Sequence, residues 1–216
     1  MLNIEIIAIP SQKIIEETDD LFDIIVESMQ SKQIVFQEND VLIIASKVVS
    51  VTEGRVVNFA TVSPSLLAKK LAEQMRTAAE FTQIILDECE NNYIGVVPGA
   101  LTTINKYGLL ANAGADQSNV NKNKTIVLPA NSKKSAHILH SKIFETTQKK
   151  VGIIIADSRT MPMRLGTVGT ALATYGFKSV IDERGKSDLF GRSMHITSRA
   201  IADQLATAAS SVGLTS

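Results

Sequence analysis

Val151 to Ala156 reads V-G-I-I-I-A, and the next residue is Asp157. A short apolar run rich in isoleucine fits a strand buried on both faces, because a half-exposed strand would carry a polar residue at every second position. Such a strand belongs inside a sheet, and here it is expected to end at Asp157 and deliver a carboxylate to the sheet's edge. The following S-R-T-M-P-M-R reads as a restricted loop, in which Pro162 pushes Met161 toward extended geometry. Arg159 and Arg164 place two permanent cations near that carboxylate. Anion, cations and a stiff loop suit a phosphate held with a metal ion. They also suit an aspartate that caps a turn beside two surface arginines.

With 216 residues and 44% hydrophobic content, the chain has enough apolar material for one large domain or for two small lobes sharing a core. We read residues 1–216 as a single domain. Twenty-two basic and twenty-two acidic side chains cancel, so nothing favours nucleic acid or a membrane surface as a partner, and any anion must be bound by local design. The lone Cys89 excludes a disulfide framework and a cysteine-rich zinc site. The start at Met1 lacks the charged-then-apolar pattern of a signal peptide, and no apolar run approaches the roughly 20 residues that span a bilayer. A cytoplasmic protein is expected. With no tryptophan and few aromatic residues, a stacking platform for single-stranded nucleic acid is disfavoured.

In chain order, residues 2 to 9 alternate in part and predict a first strand ending at Pro10 and Ser11. Thr18 or Asp19 is expected to cap a helix whose apolar stripe is Leu21, Ile24, Ile25, Ser28 and Met29. V-L-I-I-A-S from Val41 predicts a second buried strand, after which Ser46, Lys47 and Ser50 crowd its end, ready to hold phosphate or simply to face water. Two supporting helices follow, to about Arg76 and about Glu90, with Cys89 as a buried small hydrophobe. Glycine-punctuated residues from Tyr93 predict short strands with tight turns. Ser132 is expected to cap a helix to about Gln148, on which His137 and His140 share a face in a surface or packing role rather than as zinc ligands. The run G-T-V-G-T-A-L-A-T-Y-G suits close approach of a backbone or a ligand, and a last helix covers about Ser198 to Ser211.

Gly108 to Asn119 forms a second polar constellation. Asn112, Asp116, Ser118 and Asn119 offer carboxylate, amide and hydroxyl oxygens, the hard donors that magnesium or manganese accepts. An Asx-rich turn explains the same residues. Neither of the two commonest phosphate-cradling glycine loops occurs, so phosphate recognition would have to be built from separated segments.

Five segments in order carry a resemblance: D-V-L-I-I-A-S-K-V-V-S-V-T-E-G-R, G-L-L-A-N-A-G-A-D-Q-S-N-V, L-P-A-N-S-K-K-S-A, I-I-I-A-D-S-R-T-M-P-M-R-L-G-T-V-G-T-A and D-E-R-G-K-S-D-L-F-G-R. Together the chain resembles a divergent member of the coenzyme F-420 gamma-glutamyl ligase family over nearly its whole length. The resemblance implies an α+β, mixed-sheet fold with two lobes sharing one core, assembled as a homodimer. It implies an amide ligase that uses GTP and a divalent metal, magnesium or manganese, with room for a monovalent cation. The substrates implied are the deazaflavin coenzyme precursor and L-glutamate, joined through an acyl phosphate. The alternatives are a ligase for another phosphate-bearing carboxylate and a nucleotide- or metabolite-binding homologue without turnover. By position, Asp116 and Asp157 look like ligands of a first metal and Ser158 like a neighbour of a second. Asn119, Ser46 and Lys47, with Gln12, Lys13, Ile14 and Ile15, look like nucleotide contacts. Arg159, Arg164 or Arg184 is expected to neutralise charge on the transferring phosphoryl group. Where the family continues into an M-G-[E/Q] segment that supplies a second-metal ligand, the present sequence reads A-A-S-S-V-G-L-T-S, which as a natural terminus would lack that ligand.

Overall fold

Ile153, Ile154 and Ile155 are each at most 1% exposed in the computed structural model, which describes residues 4–161 and 163–213. They lie on β7 (Gly152–Thr160), the middle strand of a three-stranded sheet. β1 (Val41–Ala45) runs parallel to it, with Val41 opposite Gly152 and Ala45 opposite Ala156. β8 (Thr167–Tyr175) runs antiparallel on its other side. Alternate side chains of β7 enter different cores, as the two-residue period of a strand requires. Ile153 and Ile155 pack with Ile25, Met29, Leu139 and Ile143, which come from α1 (Leu21–Ser31) and α5 (Ser132–Thr147). Ile154 and Ala156 pack with Ala202 and Ala206 of α6 (Ile201–Ser210).

β8 carries a bulge. Ile155 faces Ala173 while the next residue, Ala156, faces Ala171, so Leu172 is the extra residue. The Ala171 N–H instead donates to the Asp203 carboxylate of α6 at 2.9 Å. Nearby, a Cβ on Gly169 would lie 2.2 Å from the Ala206 carbonyl oxygen, which is why the small-residue run is needed: it seats α6 of the same chain.

A second apolar core joins α3 (Leu66–Met75) and α4 (Ala79–Glu88) to the antiparallel meander β3 (Tyr93–Val97), β4 (Ala100–Asn105) and β5 (Gly108–Ala111). Cys89 is buried there, and burial pushes its thiol above its usual pKa, as fits a packing residue. A two-stranded ladder of β2 (Val56–Asn58) and β6 (Lys124–Ile126) and a ribbon of β9 (Val180–Asp182) and β10 (Ser198–Ala200) complete an α+β arrangement of mixed sheets. No helix among the described residues is long and apolar enough to cross a membrane.

Several expectations need correction. Residues 4–9 are not a strand, and Ile4, Ile6 and Ile7 are exposed: alternation makes a strand only where an edge accepts it. The α1 cap is Asp20, whose side chain accepts from Phe22 N and Asp23 N, because Asp19 is engaged by Lys13. Ser46 to Thr52, read from the sequence only as polar residues crowding the end of the strand, is the helix α2, with Val49 and Ser50 buried. The α5 cap is Asn131. β7 does not stop at Asp157 but pairs with β8 as far as Thr160. Pro162, to which the loop's stiffness was ascribed, and the last residues of the C-terminal segment lie outside the described residues. His137 and His140 do pack, with ring centroids 4.6 and 5.0 Å from Tyr175, and His140 Nδ1 donates to the Val151 carbonyl at 2.8 Å.

Candidate functional site

β1 and β7 end their pairing at Ala45 and Ala156, and the two chains then part. β1 turns at once into α2, whose first residues are Ser46 and Lys47, while β7 runs on through Asp157 and Arg159. The fork between them forms one wall of a cavity of about 400 Å3. The opposite wall is the segment from Leu110 to Asn119. Ser46, Lys47, Asp116, Asn119, Asp157, Ser158 and Arg159 thus line one space although they come from three separate stretches of sequence.

Asp157 is fixed by the sheet. Its Oδ1 accepts from Ser46 Oγ at 3.1 Å, and Arg159 Nε stands 3.6 Å from its Oδ2. Because β7 continues, Asp157 and Arg159 are two residues apart on one strand and share a face. Burial outweighs the Arg159 charge and the Ser46 bond, so the Asp157 carboxyl is pushed above the usual carboxylate range. Burial equally lowers the Arg159 guanidinium from its ordinary value, against the opposing pull of Asp157. The side chain of Arg159 is only 10% exposed. Its Nη1 donates to the Tyr107 carbonyl at 3.0 Å, while Nε and Nη2 have no hydrogen-bond partner among the described residues.

Asp116 is fixed by a turn. Its backbone bridges Ile126, and Asn112 and Ala113 just before it adopt positive φ (54° and 53°). Gly114, which follows them, has φ +80°, and a Cβ there would meet the Leu128 side chain at 2.6 Å. Asn112 is a structural tie: its Oδ1 accepts from Leu101 N at 2.8 Å. Ser118 N and Oγ each donate to the Asp116 carboxylate at 2.8 Å, an Asx turn of the kind the composition suggested. Lys47 Nζ stands 2.7 Å from Asp116 Oδ2 and donates to Ser118 Oγ at 2.6 Å. Partial burial works to raise the Asp116 pKa, but Lys47 and Ser118 more than offset it and leave the carboxyl below the usual range.

The remaining candidates lie elsewhere. Gln12, Lys13, Ile14 and Ile15 form a mostly exposed loop, with Lys13 paired to Asp19 at 2.6 Å, and do not line the cavity. Arg164 is exposed and does not line it either. Arg184 is held by Asp182, with Nη2 to Oδ2 at 2.7 Å, on the exposed β9 to β10 ribbon. Tyr107 enters the site through its backbone carbonyl, and Thr160 and Thr167 add hydroxyls to the lining. No side-chain signal in the sequence marks a carbonyl as an arginine anchor.

The donor set is hard oxygen: two carboxylates and the hydroxyls of Ser46, Ser118 and Ser158. Among the described residues no three His, Cys, Asp or Glu side chains gather as a metal cage. Two carboxylates without a cage fit a magnesium-like ion, which keeps several waters and takes the rest of its ligands from phosphate oxygens.

The sequence pattern of the family described as F420-0:Gamma-glutamyl ligase matches residues 11–213. The coenzyme F420:L-glutamate ligase of Archaeoglobus fulgidus is 34% identical over 205 residues, covering 95% of this chain and 80% of that protein. The proteins of the same name from Methanococcus maripaludis (strain C6) and Methanopyrus kandleri are 41% identical over 177 residues and 37% over 202. These alignments cover 82% and 93% of this chain, and 71% and 78% of those proteins. A match that spans all three stretches lining the cavity, at this identity, places the chain in the F420-0:gamma-glutamyl ligase family.

Proposed function

We propose that this protein is a GTP- and divalent-metal-dependent ligase that adds L-glutamate to the carboxylate of the deazaflavin coenzyme precursor. The observation that carries this reading is the convergence of Asp116 and Asp157, each beside a cation, on one cavity. A carboxylate is a poor acylating agent, so the reaction needs an activated form. Transfer of the terminal phosphoryl of GTP to the precursor's carboxylate gives an acyl phosphate. The glutamate amine then attacks the acyl carbon, and inorganic phosphate leaves as the amide bond forms.

The chain's own groups suit that work. Lys47 and Arg159 face the charge that builds on the transferring oxygens, and fixed cations in a partly dry cavity need no reorganisation when that charge appears. Ser46 orients Asp157 through its hydroxyl. Asp116 and Asp157 would hold magnesium or manganese, which supplies charge neutralisation across the phosphates. Asn119 and Ser158, at the cavity's rim, are available to nucleotide oxygens and to a second ion. A homodimer is part of the same reading; the exposed Leu189, Phe190 and Ile196 between β9 and β10 support it as an apolar surface that a second copy would cover.

The test is release of GDP and phosphate from GTP with coenzyme precursor and glutamate, together with mass detection of the glutamylated product. Hydrolysis that depends on both substrates is expected, and Asp157→Asn should lower it by at least about a hundredfold. Tight nucleotide binding with no product on long incubation would replace this reading with that of a binding protein.

A further inference from the structure

We propose that Lys47 and Arg159 are resident counter-ions that change partners during binding, from carboxylates in the free protein to phosphoryl oxygens in the complex. Through this exchange a divalent ion and a nucleoside triphosphate bind synergistically. The inference rests on the reading of Asp116 and Asp157 as metal ligands and goes beyond it.

Each of the two carboxylates has its own cation. Lys47 Nζ lies 2.7 Å from Asp116 Oδ2, and Arg159 Nε lies 3.6 Å from Asp157 Oδ2. A bare divalent ion arriving at either carboxylate meets a positive charge already there and must displace it or bear its repulsion. The two cations are anchored differently. Lys47 sits on α2 and holds Ser118 as well as Asp116, so its flexible stem can swing while keeping a hydroxyl partner. Arg159 lines the cavity and is pinned by Nη1 to the Tyr107 carbonyl, with Nε on the side of Asp157 and both Nε and Nη2 closed off from solvent in the free protein. The Nε and Nη2 edge presents two parallel N–H groups, the fork that a phosphoryl or carboxylate group accepts with two oxygens. At 3.6 Å the Asp157 contact is too long for a hydrogen bond, and the two buried donors are otherwise unpartnered among the described residues. A phosphate would satisfy both donors and at the same time release Asp157 from the guanidinium's charge. Nucleotide and ion then each remove an obstacle to the other, which is positive linkage between two sites.

Calorimetric titration tests the exchange. Manganese is titrated alone, and then in the presence of a non-hydrolysable GTP analogue, into the wild type, Lys47→Gln and Arg159→Gln. In the wild type the analogue should tighten manganese binding by roughly tenfold or more. In each variant manganese alone should bind several-fold tighter than in the wild type, and the enhancement by the analogue should largely disappear. Wild-type enhancement retained in Lys47→Gln, or manganese alone bound no better there, overturns the exchange, as does a wild type without enhancement. Lys47 is partly exposed, so that variant carries the test if Arg159→Gln fails to fold. Asp116→Asn and Asp157→Asn serve as controls on the underlying reading. Unchanged manganese binding in both overturns the metal site itself, whereas lost binding there with enhancement intact in Lys47→Gln overturns only the exchange.

Discussion

The two walls of the cavity are made by different physics. On one side Asp157 follows Ile153, Ile154, Ile155 and Ala156, all at most 1% exposed, on a strand paired along both edges. On the other, Asp116 follows three consecutive positive-φ residues in a turn that burial alone does not hold. The first wall is rigid because the sheet and two cores over-determine it, and it holds its carboxylate partly dry. The second is tied to β4 and β6 by hydrogen bonds through Asn112, Ala113 and Asp116, and keeps its carboxylate wet and paired with Lys47. On the proposed reading, a site that grips charge and also admits a nucleoside triphosphate would gain from one fixed jaw and one adjustable jaw.

The largest effect that would sharpen this contrast comes from the fixed wall. Ile154→Ala removes side-chain volume at a fully buried position and should cost about 2–5 kcal/mol of stability by urea unfolding. Gly114→Ala strains the turn and drives a Cβ into Leu128, for about 1–3 kcal/mol, with a loss of manganese affinity larger than Ile154→Ala produces. If the core variant weakens the ion more than the turn variant does, the assignment of rigid and adjustable walls is reversed.

The two carboxylates should also respond to pH with opposite sign in the metal-free protein. Asp157 is raised when folded, so the native state holds that proton longer than the unfolded chain. Its contribution therefore falls as pH climbs from the ordinary carboxylate range through the raised value. Asp116 is lowered, so its contribution is present above the ordinary range and is lost as pH falls through the lowered value. By calorimetry of the metal-free protein across this range, Asp157→Asn should gain stability relative to the wild type as pH rises and Asp116→Asn should lose it. Trends of the same sign would erase the distinction. The smallest effect is at Asn119, whose φ is +59°. Asn119→Gly keeps that backbone and should change stability by under about 0.5 kcal/mol, so any drop in nucleotide affinity reports the amide itself.

The fixed wall was legible in the sequence because an unbroken isoleucine run has few folded interpretations. Its extent was not. Ending the strand at Asp157 hid the fact that Arg159 shares its face, since the pairing that carries β7 to Thr160 comes from β8 and leaves no mark in β7 itself. α2 was illegible for the reverse reason: V-V-S-V favours a strand locally, and burial of Val49 and Ser50 overrides that preference. The turn's composition announced Asp116 and Ser118, but not that Lys47, some 70 positions earlier, would close on both. Arg184 looked as available as Arg159 until Asp182, two residues away, was seen to take its charge.

The bulge at Leu172 has a consequence for how this chain can vary. Partners across the ladder share a face, and Ala173 and Ala171 already lie opposite the neighbours Ile155 and Ala156, so losing the surplus Leu172 would heal the ladder without turning Gly169 or Thr167 round. A second insertion between Gly169 and Ala173 has no such remedy: it would turn Gly169 away from Ala206 and uncouple α6. Side chains along this strand can drift one at a time, but its length can give up only that one residue. Relatives that reshape this edge of the cavity are therefore expected to do so by insertions in the link between β7 and β8.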